Sequence, residues 1–199
     1  RFSTIPNITS EYKLTGRMAA DFFLQKGFRN FAFYGYENVV WSEERCLGFR
    51  DRITEKGFGD NFFEYQKQPL ENLWYYESEP LASWIKSLPH PLALMACDDT
   101  QGNKIMEVCR VLGIKIPEEI AVLGVDNDEI ICSLSDPPLS SVNLNIAKGG
   151  YEAAELIERL IRDKEASCED VVIHPTSIVN RLSTDIYSTG DPYILIALK

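Results

Sequence analysis

Residues 92–99 of the chain read LALMACDD, and residues 120–127 read IAVLGVDN. Both stretches are runs of small and branched apolar residues that end abruptly in acidic or amide side chains. A β-strand that is buried on both faces of a parallel sheet has this pattern. The polar residues therefore mark the carboxyl ends of two buried strands.

An amphipathic helix is predicted between these two strands. Four apolar residues recur at the spacing of one helical face, namely Ile105, Val108, Cys109 and Leu112. Gly113 then marks the end of the helix. Open α/β sheets bind ligands in the crevice beyond the carboxyl ends of their strands, so residues 98–99 and 126–127 are predicted to face one crevice.

The rest of the chain alternates predicted helices and strands around this unit. Apolar spacing and end signals predict helices at 11–26, 42–56, 80–88, 128–134 and 146–162, and strands at 28–35, 61–67, 139–144, 171–173 and 177–181. Ser10 and Ser42 are the predicted N-caps of the first two helices. Asp191 followed by Pro192 predicts the start of another helix near the end of the sequence.

Composition excludes several classes of protein. The chain has 199 residues, and its hydrophobic content of 45% predicts a folded core. Thirty acidic and twenty basic residues give a net charge of −10, which repels both a phosphate backbone and an anionic membrane. No apolar run approaches the ~20 residues of a membrane-spanning helix. We therefore expect no membrane partner and no DNA contact by this segment itself.

Cysteine usage and motif spacing give no sign of a metal or a cofactor. The five cysteines are widely separated, so neither a disulfide framework nor a zinc site is predicted, and a reducing cytoplasm is the expected compartment. The sequence excludes a calcium-binding loop that starts at Asp126. Ile131 stands where such a loop needs glycine, and Pro137 stands where it needs glutamate.

Catalytic motifs are also lacking. Asp98 and Asp99 are adjacent and diverge, whereas the two carboxylates of a glycosidase face each other across ~5 to 9.5 Å. His90 and His174 are far apart and have no nucleophile motif nearby. The sequence contains no glycine-rich phosphate loop. We therefore expect a protein that is not an enzyme.

Several motifs resemble a known family. Four stretches read RCLGF at 45–49, ACDD at 96–99, IPEEIAVLGVDN at 116–127 and PLSSV at 138–142. Their order and spacing resemble the effector domains of LacI/GalR-type transcription regulators, which share the fold of periplasmic sugar-binding proteins. The tail NRLSTD at 180–185 resembles xylose operon regulators more specifically, in which such a domain precedes an AraC-type DNA-binding domain. The resemblance covers most of the chain.

The resemblance implies a fold and a domain organisation. The fold is α/β and periplasmic-binding-protein-like, with a Rossmann-like parallel sheet flanked by helices and a sugar held between two lobes. Residues 29–144 and 166–186 would form a complete second lobe, and residues 1–28 and 145–165 the remnant of the first lobe and the crossover. Residues 187–199 would be a linker and the start of a DNA-binding domain. We therefore expect a chain truncated at both ends, a homodimer, and first-lobe ligand contacts outside the chain. The helices at 11–26 and 146–162 would be first-lobe pieces that lack the strands they should cover. Their apolar faces would be Leu14, Met18 and Phe22 on the first helix and Ile146, Ala153, Ile157 and Leu160 on the second.

Three candidate ligand-binding residues are Arg45, Asp126 and Asn127. By the resemblance, Arg45 matches an arginine directed at ligand hydroxyls or carboxylates, and Asp126 an acid that accepts hydrogen bonds from sugar hydroxyls. A cation in the first turn of a helix opposes the helix dipole, which favours a binding role for Arg45 over a plain surface position. Asp126 follows a strand too apolar to end in a charge without a partner. Asn127 either contacts the ligand or only supports the turn.

The remaining candidates are Asp98, Trp41 and Trp74. One of Asp98 and Asp99 is expected to cap the following helix, and Asp98 is our candidate for facing the ligand. Trp41 offers an aromatic plane to a sugar ring, although it could equally be a staple against the core. Trp74 is a weaker candidate, because three consecutive aromatic residues in a loop usually indicate local packing.

The resemblance, together with these observations, implies the sugar-sensing domain of a cytoplasmic bacterial transcription regulator. The predicted ligand is a pentose such as D-xylose, bound in an interlobe cleft without any chemistry, and DNA would be contacted only by a domain outside this segment. Two alternatives stay open, namely a sugar-binding transport protein of the same fold and a sugar-processing α/β enzyme.

Overall fold

The computed structural model describes residues 6–67, 78–162 and 170–188. The strands in these ranges are β1 (Ile8–Ser10), β2 (Phe31–Tyr36), β3 (Phe62–Lys67), β4 (Leu92–Ala96), β5 (Ile120–Val125), β6 (Ser140–Asn143), β7 (Val171–Ile173) and β8 (Ser177–Val179). The α-helices are α1 (Tyr12–Gln25), α2 (Val40–Glu55), α3 (Ser78–Ser87), α4 (Asp99–Leu112), α5 (Glu129–Leu134) and α6 (Ile146–Arg162). Short 3-10 turns occupy Gly59–Asn61 and Leu182–Thr184.

The main sheet has six strands in the order β3-β2-β4-β5-β6-β8. Strands β3, β2, β4, β5 and β6 pair in parallel, and β8 is antiparallel to β6. Every residue of β4 and β5 is buried, which confirms the prediction that these apolar runs are central parallel strands. A separate two-stranded sheet pairs β1 with β7 in parallel.

Helices cover both faces of the main sheet. Side chains of β2 alternate between the faces, so that Phe31 and Phe33 join the core under α1 and α2. Ala32 and Tyr34 join the core under α3 and α4. The period of two along a strand therefore divides the apolar residues of the sheet into two cores.

Helix α1 belongs to the six-stranded body. We expected this helix to be a first-lobe piece whose apolar face lacks strands to cover, and that expectation is wrong. Its residues Ala19, Ala20 and Phe23 are buried in the same core as Phe31 and Phe49. The stripe chosen from sequence, which starts at Leu14, is instead the half-exposed edge of the helix.

Helices α1 and α2 approach each other closely because each has a glycine at the crossing. A Cβ atom on Gly16 would collide with the backbone oxygen of Arg45, and one on Gly48 would collide with the backbone oxygen of Lys13. The absence of side chains therefore brings the two backbones into contact, and α1 rests directly on the turn of α2 that carries Arg45.

Helix α6 fits the expectation of an uncovered apolar face. In the described part of the chain it contacts mainly β7 and buries Gly149 and Leu156. Its isoleucines at 146, 157 and 161 are between 58% and 75% exposed. Nothing in the described residues covers this face of the helix.

Both predicted serine N-caps are wrong. Ser10 is the last residue of β1, and Glu11 takes the N-cap position of α1 without a side-chain bond. Ser42 lies inside the first turn of α2, where its Oγ accepts a hydrogen bond from the backbone N–H of Tyr36 at 2.8 Å. The hydroxyl of Ser42 therefore joins the end of β2 to α2, which sequence spacing alone does not distinguish from capping.

Two other expectations concern the C-terminal part of the chain. The predicted closing strands at 171–173 and 177–181 exist, but β7 and β8 belong to different sheets. The helix predicted after Asp191 lies outside the described residues. In the ranges that are described, no helix combines the length and the apolar character needed to cross a lipid bilayer.

We predict that Gly48→Ala lowers the free energy of unfolding by about 1–3 kcal/mol, because the added methyl group must push α1 away from α2. Gly150→Ala is the matched control, since no neighbouring atom lies within 4 Å of the Cβ that alanine would add there, and alanine favours a helix by ~1 kcal/mol. Urea denaturation of both variants measures the difference. A Gly48→Ala protein as stable as the wild type would contradict the close helix contact.

Candidate ligand-binding site

A cavity of ≈ 470 Å³ lies where the carboxyl ends of β4 and β5 meet the small β1–β7 sheet. The six-stranded body and the loops that follow its strands contribute Trp41, Arg45, Asp98, Asp99, Thr100, Asp126, Asp128, Ile131 and Leu144. The opposite wall consists of Ile8, Thr9, Ser10, Tyr12 and Ile173. The predicted crevice therefore exists, and residues from both sheets line it.

Arg45 is the buried cation of this cavity. The residue is 4% exposed, and its Nη1 donates to the backbone oxygen of Cys97 at 2.5 Å while Nη2 donates to Asp126 Oδ1 at 3.2 Å. The guanidinium carbon lies 5.1 Å from the ring centre of Trp41 and 5.7 Å from that of Tyr12. The Nε atom is buried and has no hydrogen-bond partner among the described residues. Arg45 is thus held by two polar and two aromatic contacts.

Asp126 presents its carboxylate to Arg45 from the end of β5. Its backbone φ of 103° lies in a region that non-glycine residues rarely adopt, and its N–H donates to the backbone oxygen of Val142 at 3.0 Å. Burial raises the pKa of its carboxyl group, the charge of Arg45 lowers it, and the nearby Asp98 raises it. The side chain remains 38% exposed toward the cavity side, so a ligand can reach it.

Asp98 combines two roles. Its Oδ1 accepts a hydrogen bond from the backbone N–H of Gln101 at 2.7 Å, which makes it the N-cap of α4. The same side chain lines the cavity. The alternatives left open by the sequence are therefore compatible, because one carboxylate oxygen caps the helix, the other accepts from Cys97 Sγ at 3.7 Å, and the residue also lines the cavity.

Asp99 lies deeper, beneath the loop that follows β5. It is 2% exposed, and its oxygens accept from Ser141 Oγ at 2.6 Å and from the backbone N–H of Asp128 at 2.7 Å. Burial raises the pKa of its carboxyl group to about 6, and the two donors offset part of that rise. Asp99 is therefore a buried acid whose oxygens are used inside the protein.

The charge pattern of the cavity suits a neutral ligand with many hydroxyl groups. Four aspartates, at positions 98, 99, 126 and 128, line it together with Arg45. Carboxylates accept hydrogen bonds from hydroxyl groups and repel anions, whereas a guanidinium donates to hydroxyl oxygens. Among the described residues, no group of three or more His, Cys, Asp or Glu side chains is placed to hold a metal ion.

The candidate residues chosen from sequence fall into three groups. Trp41, Arg45, Asp98 and Asp126 all line the cavity. Asn127 is not among the lining residues; its φ is 55° and its N–H donates to Ser141 Oγ at 3.0 Å, as the turn-supporting alternative predicts. Trp74 lies outside the described residues.

Sequence reasoning missed the wall formed by the small sheet. Ser10, Tyr12 and Ile173 line the cavity, although they lie in or beside three-residue strands that carry no distinctive pattern. The pairing of Ile8 with Val171 joins segments more than 160 positions apart. The only available signal was the aromatic residue Tyr12 at the start of a predicted helix.

Comparison with known proteins identifies the fold family. The family described as a periplasmic binding protein-like domain matches residues 20–184. The chain belongs to this family. The periplasmic binding protein-like assignment and the α/β architecture confirm the fold class that the sequence predicted.

Relatives of this periplasmic binding protein-like chain include regulatory proteins of xylose operons. The xylose operon regulatory protein of Escherichia coli strain K12 is 33% identical over 177 residues, which cover 87% of this chain and 45% of that protein. The protein of the same name from Haemophilus influenzae is 32% identical over 196 residues, covering 97% of this chain and 50% of that protein. The chain therefore spans about half the length of these curated relatives.

Solved structures of the same fold also match this chain. The structure of a xylose-binding transcription activator, xylR, matches with a TM-score of 0.85 and 30% identity, over 98% of this chain and 52% of that chain. A LacI-family regulator from Enterococcus faecium with bound ribose matches with a TM-score of 0.80 and 19% identity, over 95% of this chain and 68% of that chain. The second match shows the shared periplasmic binding protein-like fold.

We predict that Asp99 makes stability fall as pH rises from about 4 to about 6. The folded-state pKa of about 6 lies above the unfolded value of ~3.9, so the folded protein binds the proton more tightly, and this stabilisation is lost as the group ionises. The change is on the order of 3 kcal/mol. Urea denaturation of the wild type and of Asp99→Asn across this pH range isolates the stability contribution of Asp99, because asparagine does not titrate. A pH-independent difference between the two proteins would contradict the prediction.

Proposed function

We propose that this chain is the effector-binding part of a bacterial transcription regulator and that it binds a neutral pentose such as D-xylose. The observation that carries the proposal is the pair formed by Arg45 and Asp126 in the cavity between the two sheets. The pair offers hydrogen-bond donors and acceptors side by side. Adjacent hydroxyl groups of a sugar require this combination.

The other cavity residues complete a site for a sugar. Asp98 adds carboxylate oxygens that accept from hydroxyl groups, and Trp41 and Tyr12 add aromatic surface beside the guanidinium. A sugar ring has apolar C–H faces that pack against such surfaces. Because the aspartates of the cavity outnumber Arg45, the site favours a neutral sugar over a sugar acid or a sugar phosphate.

The relatives support this choice of function. Two of them are named as xylose operon regulators, and the structure with 30% identity is described as a xylose-binding transcription activator. These names favour a regulator over the two alternatives, a sugar-binding transport protein and a sugar-processing enzyme. We therefore propose that sugar binding proceeds without catalysis, metal or cofactor.

We also propose how the chain fits into a longer regulator. The six-stranded sheet and its helices would form the second lobe, which the sequence placed at residues 29–144 and 166–186, and α1 joins this lobe because it packs in its core. Strand β7 falls within 166–186 but would belong to the first lobe together with β1 and α6, because it pairs with β1 and contacts α6. The remaining part of the first lobe would cover the exposed face of α6. Residues 187–199 would be a linker and the start of an AraC-type DNA-binding domain. Such a regulator would act as a homodimer in the cytoplasm, without a membrane partner.

We predict that Asp126→Ala weakens D-xylose binding by ~2 kcal/mol, or roughly thirtyfold, because the hydroxyl partners and Arg45 lose their acceptor. Isothermal titration calorimetry of the full-length regulator measures this. Asp60→Ala is the control, since Asp60 is an exposed acid in the turn Gly59–Asn61. An unchanged affinity in folded Asp126→Ala protein would remove Asp126 from the site, and an isolated chain that binds as tightly as the full-length protein would contradict the two-lobe site.

We predict that the isolated chain does not bind duplex DNA. Its net charge of −10 repels the phosphate backbone, and this repulsion is strongest at low salt. A gel-shift assay at low ionic strength, with the full-length regulator on its operator as the positive control, tests the prediction. Salt-sensitive binding by the isolated chain would show that DNA recognition is not confined to residues outside it.

A further inference from the structure

The loop that carries Asp126 has an unusual backbone. Asp126 and Asn127 have φ values of 103° and 55°, so two successive non-glycine residues adopt positive φ. Such conformations persist only where the surrounding structure holds them. The loop joins β5 to α5, and the direction of the Asp126 side chain depends on its shape.

Three successive backbone N–H groups of this loop are each held by a different group. The N–H of Asp126 donates to the backbone oxygen of Val142 at 3.0 Å. The N–H of Asn127 donates to Ser141 Oγ at 3.0 Å, and the N–H of Asp128 donates to Asp99 Oδ2 at 2.7 Å. Two of these three acceptors are side chains, so the sequence of neighbouring elements determines the loop conformation.

The two side-chain acceptors also bind each other. Ser141 Oγ donates to Asp99 Oδ1 at 2.6 Å, so the same carboxylate holds Asp128 directly and holds Asn127 through the serine. Asp99 fits against the sheet because the neighbouring strand residue is Gly124, where a Cβ atom would collide with Oδ1. A buried carboxylate is costly without hydrogen bonds, and both oxygens of this one are used to hold the loop.

We propose that Asp99 and Ser141 are positioning residues that fix the loop 126–128 and thereby aim the carboxylate of Asp126 at Arg45 and at the ligand. The effect on the loop is independent of any ligand, and only the effect on sugar affinity rests on the proposed function. Neither side chain needs to touch the sugar for this role.

The groups that face Asp99 come from the loop, from α5 and, through Ser141, from β6. The titratable groups among them are the carboxyl group of Asp126 in the loop and the thiol of Cys132 on α5. The carboxylate of Asp128 itself accepts from the backbone N–H groups of Ile130 and Ile131. Since burial raises the pKa of Asp99 to about 6, its ionisation falls in a range that solution NMR can follow.

The first experiment uses the ligand-free chain. We expect the amide proton shift of Asp128 to titrate with a midpoint near pH 6 in the wild type, and we expect Asp99→Asn to abolish that transition. Ser141→Ala should speed hydrogen exchange at the Asn127 amide at least tenfold. Ser135→Ala is the matched control, because it removes a buried serine hydroxyl that donates to Asn103 and Ile131 and does not contact the loop. A transition at the Asp128 amide that keeps its midpoint and amplitude in Asp99→Asn, or unchanged exchange in Ser141→Ala, would overturn the proposal.

The second experiment measures D-xylose affinity in the full-length regulator. We expect Asp99→Ala to weaken binding about tenfold, or ~1.4 kcal/mol, and Asp99→Asn to retain most of the affinity, because its carbonyl oxygen still accepts from the Asp128 N–H. If Asp99→Ala does not fold, Ser141→Ala replaces it with the same expectation. Wild-type affinity in the folded alanine variant would overturn the positioning role. A wild type that binds no pentose would refute the proposed function alone, since the ligand-free amide measurements decide the positioning role independently.

Discussion

The structure depends on one constraint, namely that the carboxyl ends of parallel strands all meet at the same edge of the sheet. Strands β2, β4, β5 and β6 are parallel and buried on both faces, so polar residues find a place only where the strands end. Asp98 and Asp126 follow β4 and β5 at this edge, and α2 brings Arg45 to the same place. The site is therefore a consequence of strand direction and of the point where each apolar run stops.

The degree of burial then determines the role of each of these polar residues. Arg45 is held by a carbonyl oxygen, a carboxylate and two aromatic rings, so it reaches the cavity with its orientation already fixed. Asp99 is buried more deeply, and both of its carboxylate oxygens accept hydrogen bonds from groups of the protein. Two acids that are close to each other at the same sheet edge thus differ in role, because Asp126 remains partly exposed and Asp99 does not.

The sequence predicted the parts of the fold that repeat a local pattern. The runs at 92–96 and 120–125 are buried strands, and the helix between them ends at Gly113 with a φ of 73°. The cavity wall from β1 and β7 could not be predicted, since three-residue strands have no period to detect and their pairing joins distant segments. The place of α1 was mistaken because its stripe at Leu14 was taken for the buried face, whereas alanines and Phe23 form that face.

The glycine crossing of α1 and α2 matters for anyone who wants to redesign the ligand preference of this chain. Substitutions at Gly16 would displace the backbone of Arg45, because a side chain there has no room beside the Arg45 carbonyl. If the chain binds a sugar as proposed, a selection for altered binding would therefore recover changes at this position that touch no ligand. Libraries that hold Gly16 and Gly48 constant and vary the residues at the cavity rim would keep the Arg45 guanidinium in place. Only the groups around it would change.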